Sequence, residues 1–146
     1  MRNIGELIAG RPLYHAEATE KVREVARRMA GWNVGAIAIL ESGKLAGVFS
    51  ERDLMTRVVV AGLDPETTTV GAVMTRDLIV GDPAEDVSSA LAKMHSVNCR
   101  HLPVVQGGNL VGMISLRDLL QVDGDATRQR ANFLTELVTL SPDYET

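Results

Sequence analysis

Two heptapeptides share one layout: Gly47-Val48-Phe49-Ser50-Glu51-Arg52-Asp53 and Gly112-Met113-Ile114-Ser115-Leu116-Arg117-Asp118. Each places a hydroxyl, and three residues later a carboxylate, where an apolar strand run gives way to a helical pattern. A Ser at that junction leaves its hydroxyl and the first-turn N–H groups pointing into a cleft. Those donors and the helix dipole favour an anion such as phosphate. The Asp lies in the same first turn, and its carboxylate can accept two hydroxyl hydrogen bonds, the geometry of a ribose diol. Ser-x-x-Asp is also a variant capping box, in which both side chains satisfy the helix's own N–H groups. The duplication, with Gly and Arg kept in both copies, favours the ligand reading.

The elements that must position these residues are themselves repeated. Residues 22–55 superpose on 87–120 at an offset of 65 with ten identities and no gap. Among them are Asn33 on Asn98, Gly43 on Gly108, Gly47 on Gly112 and Asp53 on Asp118. Upstream, Ile4-Gly5 matches Val70-Gly71 once one residue is inserted. Val22, Val25, Ala26 and Met29 have helical spacing, as do Val87, Ala90, Leu91 and Met94. Thr19 is placed as the N-cap of the first helix, and Asp82-Pro83 or Asp86 opens the second. Ala36–Leu40 and Leu102–Val105 are short apolar runs suited to buried strands. Ser42-Gly43 and Gly107-Gly108 are hairpin turns, with return strands at Leu45–Phe49 and Leu110–Ile114. Leu13–His15 and Leu78–Val80 supply a third strand to each sheet. The expected fold is α/β (α+β): a strand-helix-strand-strand-helix unit, twice, packed sheet to sheet with helices outside. The expected domains are residues 1–65, residues 66–122, and a tail at 123–146. In that tail Phe133, Leu134, Leu137 and Val138 make a short amphipathic helix, covering either its own domain or a second subunit.

Composition narrows the classes. A chain of 146 residues with 45% hydrophobic and 23% charged residues is one globular domain by length. A net charge of -4 argues against a general nucleic-acid or anionic-membrane binder. No apolar run approaches the roughly 20 residues of a membrane span, and the polar N-terminus does not resemble a signal peptide. A cytoplasmic protein is expected. The single cysteine, Cys99, excludes an intramolecular disulfide and a Cys-rich zinc site; it reads as a small buried hydrophobe. Met29, Met94 and Met113 read as core. His15 and His95 have no matching ligand partners. Asp123-Gly124-Asp125 lacks the glycine placement and terminal Glu of a calcium loop, and Gly43-Lys44 lacks the spacing of a P-loop. No nucleophile–base pair or metal cluster emerges, so neither an enzyme nor a metal site is expected.

The doubled Gly-hydrophobic-hydrophobic-Ser-x-x-Asp, with Arg100-His101-Leu102-Pro103-Val104 before its second copy, resembles the CBS domain pair, or Bateman module. The likeness covers about residues 4–122. It implies a site for an adenine nucleotide between the two motifs, with Ser and Asp on phosphate and ribose, basic groups of the partner motif's middle strand on phosphate, and apolar and backbone groups around the base. Carried onto this chain, one cleft joins Ser50, Arg52 and Asp53 to Arg100, His101 and Pro103, with Arg117 near the phosphate and Ile79 by the base. The other joins Ser115 and Asp118 to Val34, Gly35, Ala36 and Ala38, none of them charged. The middle strand of that second cleft departs from the family's basic-hydrophobic-Pro pattern. Charge therefore ranks the Asp53 cleft first and the Asp118 cleft as the weaker one. For His101 the alternative is a structural histidine. The implied function is a regulatory module for an adenine nucleotide, AMP foremost. It would act as a homodimer and through an effector protein that the sequence does not identify. The alternatives are a ligand-independent dimerisation or scaffold module, or a sensor of NAD or S-adenosylmethionine.

Overall fold

The computed structural model describes residues 2–122; the Asp123-Gly124-Asp125 loop and the Phe133–Val138 stripe lie outside them. Both repeats are built by the same local rules. Helix α2 (Val22–Trp32) and its counterpart α5 (Val87–Val97) each bury one apolar stripe, Val22, Val25 and Met29 in the first and Val87, Ala90, Leu91 and Met94 in the second. Each ends on an asparagine in the left-handed conformation, Asn33 at φ 57° and Asn98 at φ 54°, which explains why that residue recurs. Asp86 caps α5 by accepting a 2.7 Å hydrogen bond from the Ser89 N–H. The cap of α2 is Lys21 rather than Thr19, and Lys21 offers no side-chain acceptor. The start is instead tied by backbone, with the Val22 N–H donating to the Thr68 carbonyl.

Strands β2 (Ala36–Glu41) and β3 (Lys44–Ser50) form one hairpin, and β4 (His101–Gln106) with β5 (Asn109–Ser115) the other. The turn residues Ser42-Gly43 and Gly107-Gly108 all have positive φ, the conformation a two-residue hairpin loop needs. Both hairpins carry a bulge at the same repeat position, after Ile39 and after Val104. Strand β1 (His15–Glu17) joins β2 in parallel, two residues later than Leu13–His15. The third strand expected at Leu78–Val80 does not form. There the pairing shrinks to one parallel bridge between Gly81 and Val104, equivalent to Ala16 on Ile39. Gly81 has little strand preference, and Pro83 two residues on cannot donate to a ladder.

The sequence pattern showed Ile4-Gly5 and Val70-Gly71 as a match but not what they do. They open two short helices, α1 (Ile4–Ile8) and α4 (Val70–Val73), and these are exchanged between the repeats. Ile4, Leu7 and Ile8 complete the core of the second repeat with Val87, Met94, Leu102 and Ile114. Val70, Val73 and Met74 complete that of the first with Val22, Ile37, Phe49 and Val58. The anchors are equivalent: the Ile4 and Gly5 N–H groups donate to the Glu85 and Pro83 carbonyls, and those of Val70 and Gly71 to Glu20 and Ala18. Neither half can bury its core without the other, so the two repeats hold one another across the interface at which β3 and β5 meet. Helix α3 (Glu51–Asp53) runs on into a π-helical stretch (Leu54–Val59), whereas α6 (Leu116–Val122) is regular.

Candidate functional site

The two Ser-x-x-Asp boxes sit at the equivalent strand–helix junctions, and both are closed as capping boxes. The Ser50 N–H donates to Asp53 Oδ2 at 3.0 Å, and the Asp53 N–H donates to Ser50 Oγ at 3.2 Å. In the second copy the distances are 2.9 Å and 3.1 Å. Beyond the box the two aspartates part. Asp53 is buried, 7% exposed. It accepts from the Ser50 hydroxyl at 3.0 Å and from the Thr75 hydroxyl at 3.1 Å, and it pairs with Arg57 at 3.6 Å. Arg57 is in turn held by the Met74 carbonyl at 2.9 Å. Asp118 has a quarter of its side chain exposed and pairs through Oδ2 with Arg11 at 3.1 Å.

A cleft of about 980 Å³ opens beside Asp118, at the upper end of the roughly 300–1,000 Å³ typical of ligand sites. Its walls come from both repeats. Ser115, Arg117 and Asp118 stand on the α6 junction, Arg100 and His101 at the start of β4, and Val34, Gly35 and Ala36 at the start of β2. Arg11, Leu13, Tyr14 and Glu51 also line it. His101 meets Ser115 because the two are register partners across the β4–β5 ladder. Of the residues assigned from sequence to the Asp53 side, Arg100, His101 and Arg117 therefore line the Asp118 cleft. Ser50, Arg52, Asp53, Ile79 and Pro103 do not; Pro103 and Asp53 are buried, and Ser50, Arg52 and Ile79 half-buried. Tyr14 stacks on Trp32 at 4.5 Å, and Trp32 lies under the Arg28 guanidinium at 5.8 Å, so one aromatic wall is braced from behind.

Burial and neighbouring charges set the protonation of the cleft's titratable groups. His101 titrates at about 4, because burial disfavours its cation and Arg100 repels it, with Asp118 opposing. It is therefore neutral at pH 7, and can donate or accept one hydrogen bond. Burial pushes the Asp118 carboxyl up, but the Ser115 N–H and hydroxyl and Arg11 together outweigh it and hold the group below its usual range. Asp118 is a hydrogen-bond acceptor at neutral pH. Burial pushes the Cys99 thiol up, so it stays protonated and packs against the second core. No group of three or more His, Cys, Asp or Glu among the described residues could hold a metal.

Sequence reasoning missed Arg11 and Tyr14. The signal for Arg11 was present: Arg76 lies 65 residues on, outside the window in which the repeat was aligned. Tyr14 is the counterpart of Ile79, which had been assigned to the base.

Two repeats that exchange short helices, with a cleft walled by both, define a two-motif module. The CBS domain family matches residues 4–60 and 70–125. The chain belongs to that family. It is similar to the CBS domain-containing protein YhcV of Bacillus subtilis, 37% identical over 100 residues that span 68% of this chain and 71% of that one. It covers between 22% and 62% of the length of three further curated relatives. Among solved structures it is similar to a putative signal-transduction protein with CBS domains from Burkholderia ambifaria, at TM-score 0.76 and 27% identity, covering 82% of this chain and 91% of that one. The CBS domain pair of protein MJ0100, in complex with 5'-methylthioadenosine and S-adenosyl-L-methionine, shares the fold at TM-score 0.74 and 23% identity, covering 87% of this chain and 99% of that one. The chain is thus a CBS-pair module of the regulatory kind. No helix among the described residues is long and apolar enough to cross a membrane.

Proposed function

We propose that this CBS pair binds an adenine nucleotide, AMP foremost, in the cleft beside Asp118, and that binding regulates a partner rather than a reaction. One observation carries the reading. Of the two box aspartates, Asp118 lines the cleft and Asp53 does not, and Asp118 shares that cleft with Arg100, His101 and Arg117. The proposal reverses the ranking expected from charge, because Asp53 spends its oxygens on Ser50, Thr75 and Arg57. In the bound state Asp118 would accept the ribose hydroxyls, Arg100 and Arg117 would meet the phosphate, and the base would lie against Tyr14 and Ala36. The complex of MJ0100 with adenosyl compounds supports an adenine-type ligand in this fold. Binding would clamp the two exchanged halves and shift a population only through differential affinity for two states.

The same reading includes a homodimer. Met55 and Val59 on the π-helical stretch, with Val60 and Leu63 in the segment that follows it, are exposed apolar residues that a second copy would cover. Light scattering on the eluting protein tests it: a monomer mass would remove the dimer from the account.

A thermal-shift panel of AMP, ADP, ATP, NAD and S-adenosylmethionine tests the ligand. A compound at 100 times its Kd adds about 2.7 kcal/mol to the folded state. AMP or ADP is expected to give the largest rise. No rise with any of the five, in protein freed of bound nucleotide, would leave a scaffold module instead.

A further inference from the structure

We propose that Arg11 is a specificity-determining residue of this cleft. It pairs with Asp118 in the unliganded protein and transfers to the phosphate of an incoming nucleotide, so the site favours nucleotides over nucleosides. The inference rests on the nucleotide reading of the same cleft. It starts from an inequality between the halves. The cation of Asp53 is Arg57, four residues along the same helix and fixed by the Met74 carbonyl. The position 65 residues after Arg57 is Val122, which carries no charge. Thr75, the hydroxyl donor to Asp53, has as its counterpart the Ala9-Gly10 stretch, which has no hydroxyl. Arg76, the counterpart of Arg11, pairs with Glu41 at 2.8 Å and reaches the Gly71 carbonyl instead of Asp53.

The second repeat thus replaces a built-in cation by one that stands on the cleft wall just after α1. The Arg11 side chain is 44% exposed, and its Nη1 lies 3.1 Å from Asp118 Oδ2. A partly exposed ion pair of this kind contributes little and exchanges easily. A ribose diol seeking the Asp118 carboxylate competes with Arg11 directly. Once displaced, Arg11 joins Arg100 and Arg117 against the carboxylates of Glu51 and Asp118, so the cleft carries a cationic surplus. A monophosphate dianion offsets that surplus and gives Arg11 a new charge-assisted partner. A nucleoside breaks the pair and returns nothing.

The test is a calorimetric titration of AMP and of adenosine into the wild type, Arg11→Gln and Arg11→Lys. A charge-assisted contact to phosphate corresponds to about tenfold or more in affinity. Arg11→Gln is expected to weaken AMP by that factor and to leave adenosine as tight or tighter. The AMP-over-adenosine preference then falls at least tenfold, while Arg11→Lys retains most of it. Equal changes for both ligands, or none, would overturn the proposal and leave the nucleotide site standing; a pair that only fastens α1 would lower the melting temperature and leave the ratio unmoved. Binding of neither ligand to the wild type would overturn both.

Discussion

The two aspartates occupy equivalent positions and are expected to fail differently when removed. Asp53→Ala takes away a buried carboxylate that accepts from the Ser50 N–H and hydroxyl and the Thr75 hydroxyl, beside Arg57. Loss of the cap contributes about 1 kcal/mol, and stranding the buried donors adds roughly 1–3 kcal/mol. A net loss of about 3 kcal/mol corresponds to roughly 10 °C for a domain of this size. The Asp118 side chain is 25% exposed against 9% for Asp53, and its added partner is half-exposed. Asp118→Ala should therefore cost only the cap, about 1 kcal/mol or 3–4 °C. The ligand effects run the other way: Asp118→Ala abolishes the thermal rise given by AMP, and Asp53→Ala keeps it on a lower baseline. Differential scanning fluorimetry with and without AMP reads both numbers in one experiment. Equal thermal losses would refute the structural inequality. An AMP response lost in Asp53→Ala and kept in Asp118→Ala would refute the assignment of the cleft.

Other outcomes follow from the same geometry. His101 titrates at about 4 in the fold against 6.5 unperturbed. Its stabilisation is fully present above pH 6.5 and is lost as pH falls toward 4, because only the unfolded chain takes up the proton in that window. About 2 kcal/mol should disappear between pH 7 and pH 5, and urea titrations of His101→Gln should show a flatter slope; an unchanged slope would mean that His101 is not held neutral. A methyl group at Gly47 would stand 2.7 Å from the Thr75 carbonyl oxygen, and one at Gly112 2.6 Å from Ile8 Cδ1. Gly47→Ala meets backbone, and Gly112→Ala meets Ile8 at Cβ as well as at Cδ1, so that turning the side chain does not clear it; each should cost about 1–3 kcal/mol, which chemical denaturation measures. Trp32, the sole tryptophan, stacks on cleft-lining Tyr14, so its emission should change on AMP addition and stay constant in Asp118→Ala.

The repeat was legible because its identities coincide with backbone necessities. Asn33 and Asn98 end helices in a left-handed conformation, the Gly-containing turns need positive φ, and Gly47 and Gly112 lie under a crossing segment. The exchange of α1 and α4 was not legible: Ile4-Gly5 and Val70-Gly71 announce equivalence, but nothing local says that each packs on the other half. Counting charges along β2 and β4 likewise found Arg100 and His101 but not which junction they would face. That depends on the ladder pairing His101 with Ser115, and on Thr75 and Arg57 occupying Asp53 from outside the motif. Both copies of the tetrapeptide cap a helix, and what surrounds each copy decides whether its aspartate reaches the cleft.

The most direct measurement is a crystal structure of the protein grown with AMP. The account expects the ribose hydroxyls within hydrogen-bond distance of Asp118, the phosphate among Arg100, Arg117 and Arg11, and the base beside Tyr14. Nucleotide bound instead at Ser50 and Asp53, with the Asp118 cleft unchanged, would contradict it.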